Sequence, residues 1–307
     1  MTLPSDKIAI VIATVGRCDD LRKMLRSLAA QTRLPEQVVI VDEAGEGNDL
    51  AREFPQLNIL VTTFPRGSAS AKRNRGIECV PPEIELIGFM DDDIVLEPQA
   101  LAAIGDFWRS SPPGLGGVSC NLENQMPVFA SRWKSLRLAS RLALYDARGG
   151  VVLRSGFQTL LGCVAQNQEV QWLPSTAVVY HRQVLAEHRF DEWYQDYSYL
   201  EDLDFSYSIS RQYKLVVLAE ARFRHYPSPI GRTDPYLFGK KEVLNRLYFV
   251  RKHPELSPAA CVFALGVRAS ISVFWGVTRL EGAHFRRVLG NFAAAFAILI
   301  RGPGSVA

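Results

Sequence analysis

Short apolar runs alternate with amphipathic segments along the first third of the chain. The apolar runs have the length of buried strands, and the amphipathic segments repeat at helical spacing. The predicted strands are Ile8–Thr14, Gln37–Val41, Asn58–Thr62 and Ile84–Met90, and the predicted helices are Asp19–Gln31, Asn48–Phe54, Ser68 to about Cys79, and Gln99–Trp108. This alternation predicts βαβ units, and therefore an α/β fold with a Rossmann-like, mostly parallel sheet flanked by helices.

The pattern becomes less regular after Pro112-Pro113-Gly114. Short strand-like runs follow at Gly117–Cys120, Val151–Leu153, Val178–Tyr180, Leu215–Leu218 and Ala221–His225. Helix-like patterns cover the basic segment Arg132–Arg148 and residues 199–212. The middle of the chain is therefore expected to complete the fold with shorter elements.

Two apolar stretches characterise the C-terminal tail. Ala259–Thr278 is long enough to cross a bilayer, but a central arginine, Arg268, costs roughly 2.5–3.5 kcal/mol on insertion. Val288–Ile300 is too short to span unaided. The flanking basic residues predict a helical hairpin on a membrane surface, and the alternative is two helices buried against the body or another subunit.

Composition and charge narrow the class of protein. The 307 residues are 48% hydrophobic and 22% charged, and the five cysteines form no C-x-x-C pair, which favours a reducing cytosol. Ile8–Val15 is too short for a signal peptide and resembles a first strand. The segment from Lys240 to Arg301 contains ten Lys/Arg and three acids, so its net charge is +7. The net charge of the whole chain is +3, which leaves about −4 for the other residues. This asymmetry argues against nucleic acid and indicates a cytoplasmic protein, peripheral on the cytoplasmic face of a membrane.

Three adjacent carboxylates, Asp91-Asp92-Asp93, directly follow a predicted buried strand. An unpaired carboxylate is expensive to bury, so the triplet is expected where the strand emerges. Ligands of open α/β sheets bind at that edge, and clustered carboxylate oxygens suit Mg²⁺ or Mn²⁺. The triplet predicts a metal site for a phosphorylated donor, with a solvated acidic turn as the alternative.

Other segments end strands or begin helices with polar residues. Thr14 and Arg17 follow the first strand, Asp42 ends the second, and Arg73 lies in the basic helix start Lys72-Arg73-Asn74-Arg75-Gly76. Later in the chain, Tyr199-Leu200-Glu201-Asp202-Leu203-Asp204 begins a predicted helix, and His225 ends a predicted strand.

Together these segments resemble the family 2 glycosyltransferases with the GT-A fold. The family's "V-D-D-x-S" segment corresponds to Val41-Asp42-Glu43-Ala44-Gly45, in which the second acid is Glu and the serine is missing. The "A-R-N-x-G", D-x-D and "E-D-x-D" motifs correspond to residues 72–76, 91–93 and 201–204, and Phe190-Asp191-Glu192 fits "G-F-D-E" without its glycine. The resemblance covers roughly residues 7–226.

The resemblance implies an inverting, metal-dependent transfer of a sugar from a nucleoside diphosphate to a hydroxyl of a glycan or lipid-linked acceptor. It implies Asp202 as the catalytic base, assisted by Glu201, and Mn²⁺ or Mg²⁺ on Asp93 and His225. It places Asp91 near the ribose or the metal. Asp92 would either support the metal ligands from behind or act as an alternative ligand. The implied donor-binding residues are Thr14, Arg17, Asp42, Arg73, Asp91 and Asp92.

The donor implied by the resemblance is a UDP- or dTDP-sugar, with Asp42 near the base. The chain would then divide into a nucleotide-sugar-binding half (1–112), an acceptor-binding half with the catalytic base (113–235), and the basic, apolar tail (236–307). The tail would associate with a membrane surface or form a homo-oligomer.

Several alternatives stay open at this point. A receiver-like domain would be far shorter, and a dinucleotide oxidoreductase would need G-x-G-x-x-G, whereas Val15-Gly16-Arg17 follows the first strand. A non-catalytic, membrane-associated relative that binds nucleotide-sugars is harder to exclude. Among single residues, Asp42 could cap a turn, Arg73 could be a solvated helix face, Glu201-Asp202 could cap a helix, and His225 could be a surface histidine.

Overall fold

The computed structural model describes residues 7–301 except 44, 46, 65–66, 111–112, 126–141, 197 and 229–232. These described residues form two compact units, one within Met1–Val128 and Leu161–Gly231, the other within Phe129–Leu160 and Arg232–Ala307. The predicted basic helix at Arg132–Arg148 falls largely outside the described residues. The division into 1–112, 113–235 and 236–307 by function stays a prediction.

The first unit contains one nine-stranded sheet with helices on both faces. Its strands are β1 (Ile8–Thr14), β2 (Gln37–Asp42), β3 (Ile59–Thr63), β4 (Leu86–Met90), β5 (Ile94–Leu96), β6 (Leu115–Leu122), β7 (Gln168–Val170), β8 (Ala177–His181) and β9 (Lys214–His225). Its described helices are α1 (Cys18–Ala29), α2 (Gly47–Glu53), α3 (Ala69–Cys79), α4 (Ala100–Ser110), α5 (Arg182–Glu187) and α6 (Glu201–Ser210).

The sheet is mixed. Its strand order is β3-β2-β1-β4-β8-β6-β9-β5, and β7 also pairs with β9. β1, β2, β3 and β4 are parallel, as the strand–helix alternation predicts. β8 runs antiparallel to both β4 and β6, and β5 and β7 run antiparallel to β9. β6 and β9 are parallel to each other. The sheet is therefore parallel throughout β1, β2, β3 and β4, and the later strands add one parallel pair among antiparallel ones.

Successive side chains of the buried strands point to opposite faces of the sheet, which creates two hydrophobic cores. In β1, Ile8, Ile10 and Ile12 pack toward α1 and α4, whereas Ala9 and Val11 pack on the opposite face with residues of α3, α5 and α6. Both faces of the central strands are covered, which explains why their sequences are continuous apolar runs.

Some predicted elements differ from the structure. The runs at Leu215–Leu218 and Ala221–His225 form the single strand β9, and the strand expected at Val151–Leu153 is only an isolated bridge from Val152 to Gln158. β7 and α5 were not expected, because each is too short to show a period.

The second unit contains α7 (Pro235–Lys252), α8 (Pro258–Arg279) and α9 (Gly282–Arg301), which confirms a helical tail. Residues 142–160 contribute Leu153 and Phe157, which pack against Ala264 of α8. The buried Arg246 of α7 donates to the Gly156 and Gln158 oxygens at 2.6 and 2.9 Å. Tertiary contacts thus fix this unit, in addition to helix propensity.

Close packing of α3 on the sheet depends on Gly76. A Cβ at this position would clash with the Cγ1 atom of Val11 in β1. Because α3 carries the basic segment of the candidate site, this contact helps to set the height of that segment above the sheet.

We predict that Gly76→Ala lowers the free energy of unfolding by about 1–3 kcal/mol, since overpacking a buried contact forces its neighbours to move. Urea unfolding measures the change. Gly162→Ala is the matched control, because a Cβ there meets no described atom within 4 Å. Equal stability of the two variants would show that the contact between α3 and β1 is not tight.

Candidate active site

The ends of three parallel strands bring the predicted carboxylates to one edge of the sheet. In the β1–β2 register Thr14 lies opposite Asp42, and in the β1–β4 register Ile12 lies opposite Met90, which directly precedes Asp91. The backbone N–H of Asp91 donates to the Thr176 carbonyl at 3.0 Å, which ties the triplet to the segment before β8. The predicted position of the triplet at the carboxyl end of its strand is therefore correct.

Asp92 is buried and is held by two donors. The Thr14 hydroxyl donates to its Oδ2 at 2.6 Å and Arg17 Nη1 donates to its Oδ1 at 2.9 Å. Burial raises the pKa of Asp92 to about 6, although these two donors oppose the shift. Thr14 and Arg17 thus organise the triplet, and their contact with a donor stays a prediction.

Asp93 and His225 form a partly buried pair. Asp93 Oδ1 lies 3.0 Å from His225 Nε2, and Asp93 Oδ2 accepts from the Ser228 N–H at 2.9 Å. Burial disfavours the charge on both side chains, but their contact outweighs it, lowering the pKa of Asp93 and raising that of His225. Asn124 exchanges two hydrogen bonds with the His225 backbone, a contact that no sequence pattern indicated.

Three side chains could share a metal ion. Asp91, Asp93 and His225 each offer one ligand atom, and these atoms lie within 4.8 Å of one another. Two carboxylates with an imidazole suit Mn²⁺, and Mg²⁺ favours the oxygens alone. The residues expected to hold a metal are therefore close enough to do so.

Arg73 joins the triplet to the later acidic segment. Its Nη1 donates to Glu201 Oε1 at 2.7 Å, and its Nη2 donates to Asp91 Oδ1 at 3.3 Å. The guanidinium lies 5.4 Å from the centre of the Phe190 ring and is buried. Its interpretation as a solvated helix face is therefore wrong.

Glu201 and Asp202 occupy the first turn of α6. They follow Leu200, a buried residue with a φ of 80°, a strained conformation for a leucine. Asp202 Oδ1 accepts from the Leu203 N–H at 2.7 Å. Burial raises the pKa of both carboxyls, while Arg73 opposes the shift. A carboxyl with a raised pKa is suited to accept a proton near neutral pH.

Asp42 and Lys72 make contacts inside the protein. Asp42 is buried and its Oδ2 accepts from the Gly47 N–H at 2.9 Å, so the capping interpretation describes one of its contacts. Lys72 Nζ donates to Glu43 Oε2 at 2.7 Å and to the Thr14 carbonyl at 3.3 Å. Lys72 of the basic helix start is thus paired with Glu43, and the nucleotide contact of Asp42 stays a prediction.

The start of α3 also positions the Phe190-Asp191-Glu192 segment. Ser68 is the N-cap of α3, and its hydroxyl accepts from the Ala71 N–H. The Asn74 amide exchanges hydrogen bonds with the Phe190 backbone at 2.9 and 3.1 Å, and also donates to Glu192 Oε1. Asn74 was not among the expected site residues, because its partners are 116 and 118 residues away in sequence.

Residues 9–155 match the model of the family described as glycosyl transferase family 2. Over 94 residues the chain is 34% identical to YwdF of Bacillus subtilis, described as an uncharacterized glycosyltransferase, covering 30% of this chain and 34% of that protein. Over 72 residues it is 35% identical to the galactofuranosyltransferase GlfT1 of Mycobacterium tuberculosis, covering 24% of this chain and 22% of that protein. The matches thus span about a third or less of these relatives.

Solved structures show the same fold. S. aureus TarS in complex with UDP-GlcNAc has a TM-score of 0.56 at 15% identity, covering 84% of this chain and 70% of that chain. The mannosyltransferase PcManGT of Pyrobaculum calidifontis, in complex with GDP-Man and Mn²⁺, has a TM-score of 0.56 at 14% identity, covering 96% and 87%. The predicted family resemblance and the GT-A fold are confirmed.

We predict that Arg73→Met lowers the free energy of unfolding by about 3–5 kcal/mol, because it leaves Glu201 buried without its cation. The double variant Arg73→Met/Glu201→Gln should be more stable than the sum of the single changes, since both charges are removed. Urea unfolding of the wild type, Arg73→Met, Glu201→Gln and the double variant measures the coupling energy. Arg75→Met, in an exposed pair of the same helix, should change stability by less than about 0.5 kcal/mol. Strict additivity would contradict the buried pair.

A pH dependence follows from Asp92. Its pKa is raised from 3.8 to about 6, so between these values the folded protein keeps a proton that the unfolded chain has lost. The contribution of Asp92 to stability is therefore fully present below pH 3.8 and decreases as pH rises toward about 6.

Asp92→Asn removes this titration. Without added metal, the unfolding free energy of the variant minus that of the wild type should rise across this pH window and then level off. The exposed Asp49→Asn should show no such rise. A difference for Asp92→Asn that stays constant with pH would contradict the raised pKa.

Proposed function

Because residues 9–155 match glycosyl transferase family 2, as their motifs predict, we propose that the chain is an inverting glycosyltransferase. It moves a sugar from a nucleoside diphosphate to a hydroxyl of a glycan or lipid-linked acceptor. One observation carries the proposal: the Arg73 guanidinium contacts both Asp91 and Glu201, so the donor-side carboxylates and the later acids belong to one site.

The donor is proposed to lie along the carboxyl edge of β1, β2 and β4. Asp42 would face the base of a UDP- or dTDP-sugar, with Asp91 near its ribose. Thr14, Arg17 and Asp92 would support the diphosphate region through the contacts that hold the triplet together. The solved neighbours that bind UDP-GlcNAc and GDP-Man support a nucleotide-sugar donor.

Asp91, Asp93 and His225 would hold Mn²⁺ or Mg²⁺. When bound there, the ion would neutralise charge on the leaving diphosphate. The Ser228 N–H holds the Asp93 carboxylate, and Asn124 holds the backbone of His225. The Mn²⁺ in the PcManGT complex supports a divalent ion.

Asp202 is proposed as the base. Its partly buried carboxyl has a raised pKa and would take the proton of the acceptor hydroxyl as that oxygen attacks the anomeric carbon. Glu201, held by Arg73, would position the base or acceptor. Direct displacement with a single base implies inversion.

Acceptor and location are proposed from the tail and the relatives. GlfT1 is named as a galactofuranosyltransferase, and a galactofuranosyl, galactosyl or rhamnosyl group added to a cell-surface or lipid-linked glycan would suit a basic, apolar tail. The protein would then work at the cytoplasmic face of a membrane, with a homo-oligomer as a further possibility. The alternative is a non-catalytic relative that binds the nucleotide-sugar.

The experiment is a screen of nucleotide-sugars for thermal stabilisation with Mn²⁺, followed by transfer assays with the donors that stabilise. Asp202→Asn should keep the donor-induced shift in Tm and lower kcat by about 10²–10⁴-fold. Asp93→Asn and His225→Ala should instead lose the Mn²⁺-dependent part of the shift. Asp106→Asn, an exposed carboxylate of α4, is the control and should match the wild type.

Normal transfer by Asp202→Asn would contradict its assignment as the base. A donor that stabilises the wild type but is never transferred would favour the non-catalytic alternative. The anomeric configuration of the product, read by NMR, tests inversion separately.

A further inference from the structure

Helix α9 packs with its small residues inward and its large ones outward. The inner side buries Val288, Gly290 and Ala294. The outer side exposes a stripe with helical spacing: Phe285, Leu289, Phe292, Phe296 and Leu299, of which Phe292 and Phe296 are 65% and 64% exposed. A helix of a soluble domain normally buries its large apolar residues, so the outer stripe indicates an apolar surrounding.

Helix α8 repeats this arrangement. Its buried residues are Cys261, Ala264, Ser272 and Gly276. Its exposed ones include Val262, Phe263, Ile271, Phe274 and Val277. α8 and α9 are also long and apolar enough to cross a membrane, and little of either is buried within the protein. We call the exposed apolar residues of these two helices the outer face.

Two arginines of these helices share one buried carboxylate, although the Arg268 side chain itself is 47% exposed. Arg268 of α8 and Arg287 of α9 both donate to Glu242 of α7, at 3.2 and 3.0 Å, and Glu242 is only 2% exposed. One carboxylate therefore neutralises two arginines and ties three helices together. The central arginine that counted against membrane contact has its counter-ion inside the unit.

Further cations lie at the ends of these helices and of α7. Arg279, at the end of α8, lies over the Trp275 ring at 4.1 Å, and Arg286 is exposed near the start of α9. Arg251 and Lys252 are exposed at the end of α7. Aromatic and cationic side chains beside apolar ones suit the region where acyl chains meet anionic headgroups. This charge pattern favours lipid over a second copy of the same basic surface.

The contact between α7 and α9 indicates whether α8 and α9 lie on a bilayer or cross it. A Cβ on Gly239 would clash with the Arg287 carbonyl, and one on Gly290 with the Tyr236 carbonyl, so the backbones of α7 and α9 touch. Next to this contact α7 carries Lys240 and Lys241. Moving α9 into the hydrocarbon would take these charges with it, which is strongly unfavourable.

We propose that the outer face of α8 and α9 docks on an anionic lipid bilayer and lies in its interface without spanning it. Glu242 pairs with Arg268 and Arg287 while the aromatic residues enter the acyl region. This inference gives the proposed membrane association a surface and an orientation, and it does not depend on sugar transfer.

Flotation of the full chain with lipid vesicles tests the proposal. The protein should float with phosphatidylcholine vesicles that contain phosphatidylglycerol, bind much less to phosphatidylcholine alone, and be released by added salt or alkaline carbonate. Phe292→Ser/Phe296→Ser should weaken binding about tenfold or more, since two large apolar side chains are lost from the contact. Arg279→Gln should reduce the preference for anionic lipid.

The matched control is Leu34→Ser/Leu60→Ser, which changes two exposed leucines of the first unit and should bind like the wild type. Thermal stabilisation of each variant by the donor shows that the first unit is intact. If no donor stabilises the wild type, that result counts against the proposed sugar donor and leaves the vesicle-binding result valid.

Three results would overturn the inference: no flotation with anionic vesicles, retention after carbonate extraction, which indicates spanning helices, and a dimer in solution that Phe292→Ser/Phe296→Ser dissociates without any effect on vesicle binding.

Discussion

The organisation of the candidate site depends on a buried guanidinium. Arg73 contacts Asp91 and Glu201, which are 110 residues apart in sequence. An arginine out of water needs carboxylates, and carboxylates out of water need a cation, so neither group is stable there alone. This mutual requirement fixes the distance between the triplet and the start of α6. It also explains why Glu201 and Asp202, whose pKa values are raised, are tolerated close to Asp91.

The same balance extends outward from the triplet. Each of its carboxylates has a different partner: Arg73 for Asp91, Thr14 and Arg17 for Asp92, and His225 for Asp93. These partners come from three segments of the chain that the mixed sheet brings to one edge. The second unit uses the same principle at Glu242, where one buried carboxylate balances two arginines from neighbouring helices.

The sequence predicts features that depend on local pattern. The strands β1, β2 and β4 and the helix α1 follow from runs of apolar residues and helical spacing, and a carboxylate triplet can only emerge at a strand end. The family resemblance then identifies the residues that come together, including His225 and Glu201. The second half of the chain was harder to predict. β7 and α5 are too short to show a periodic pattern, and the antiparallel direction of strands leaves little trace in sequence. Partners were hardest to foresee. Arg73 is predicted to bind the donor, with a solvated helix face as the alternative, and neither prediction includes its contacts with Asp91 and Glu201. Asn74 and Asn124 act across more than 100 residues.

The central claim is that Asp91, Asp93 and His225 form one metal site beside the Arg73–Glu201 pair. Anomalous scattering at the manganese edge, from crystals grown with Mn²⁺ and a nucleoside diphosphate, tests it most directly. The account predicts an anomalous peak in contact with these three side chains, with the diphosphate next to it and Arg73 still bonded to Glu201. An anomalous peak away from these three side chains, or a diphosphate bound without contact to the triplet, would contradict the account.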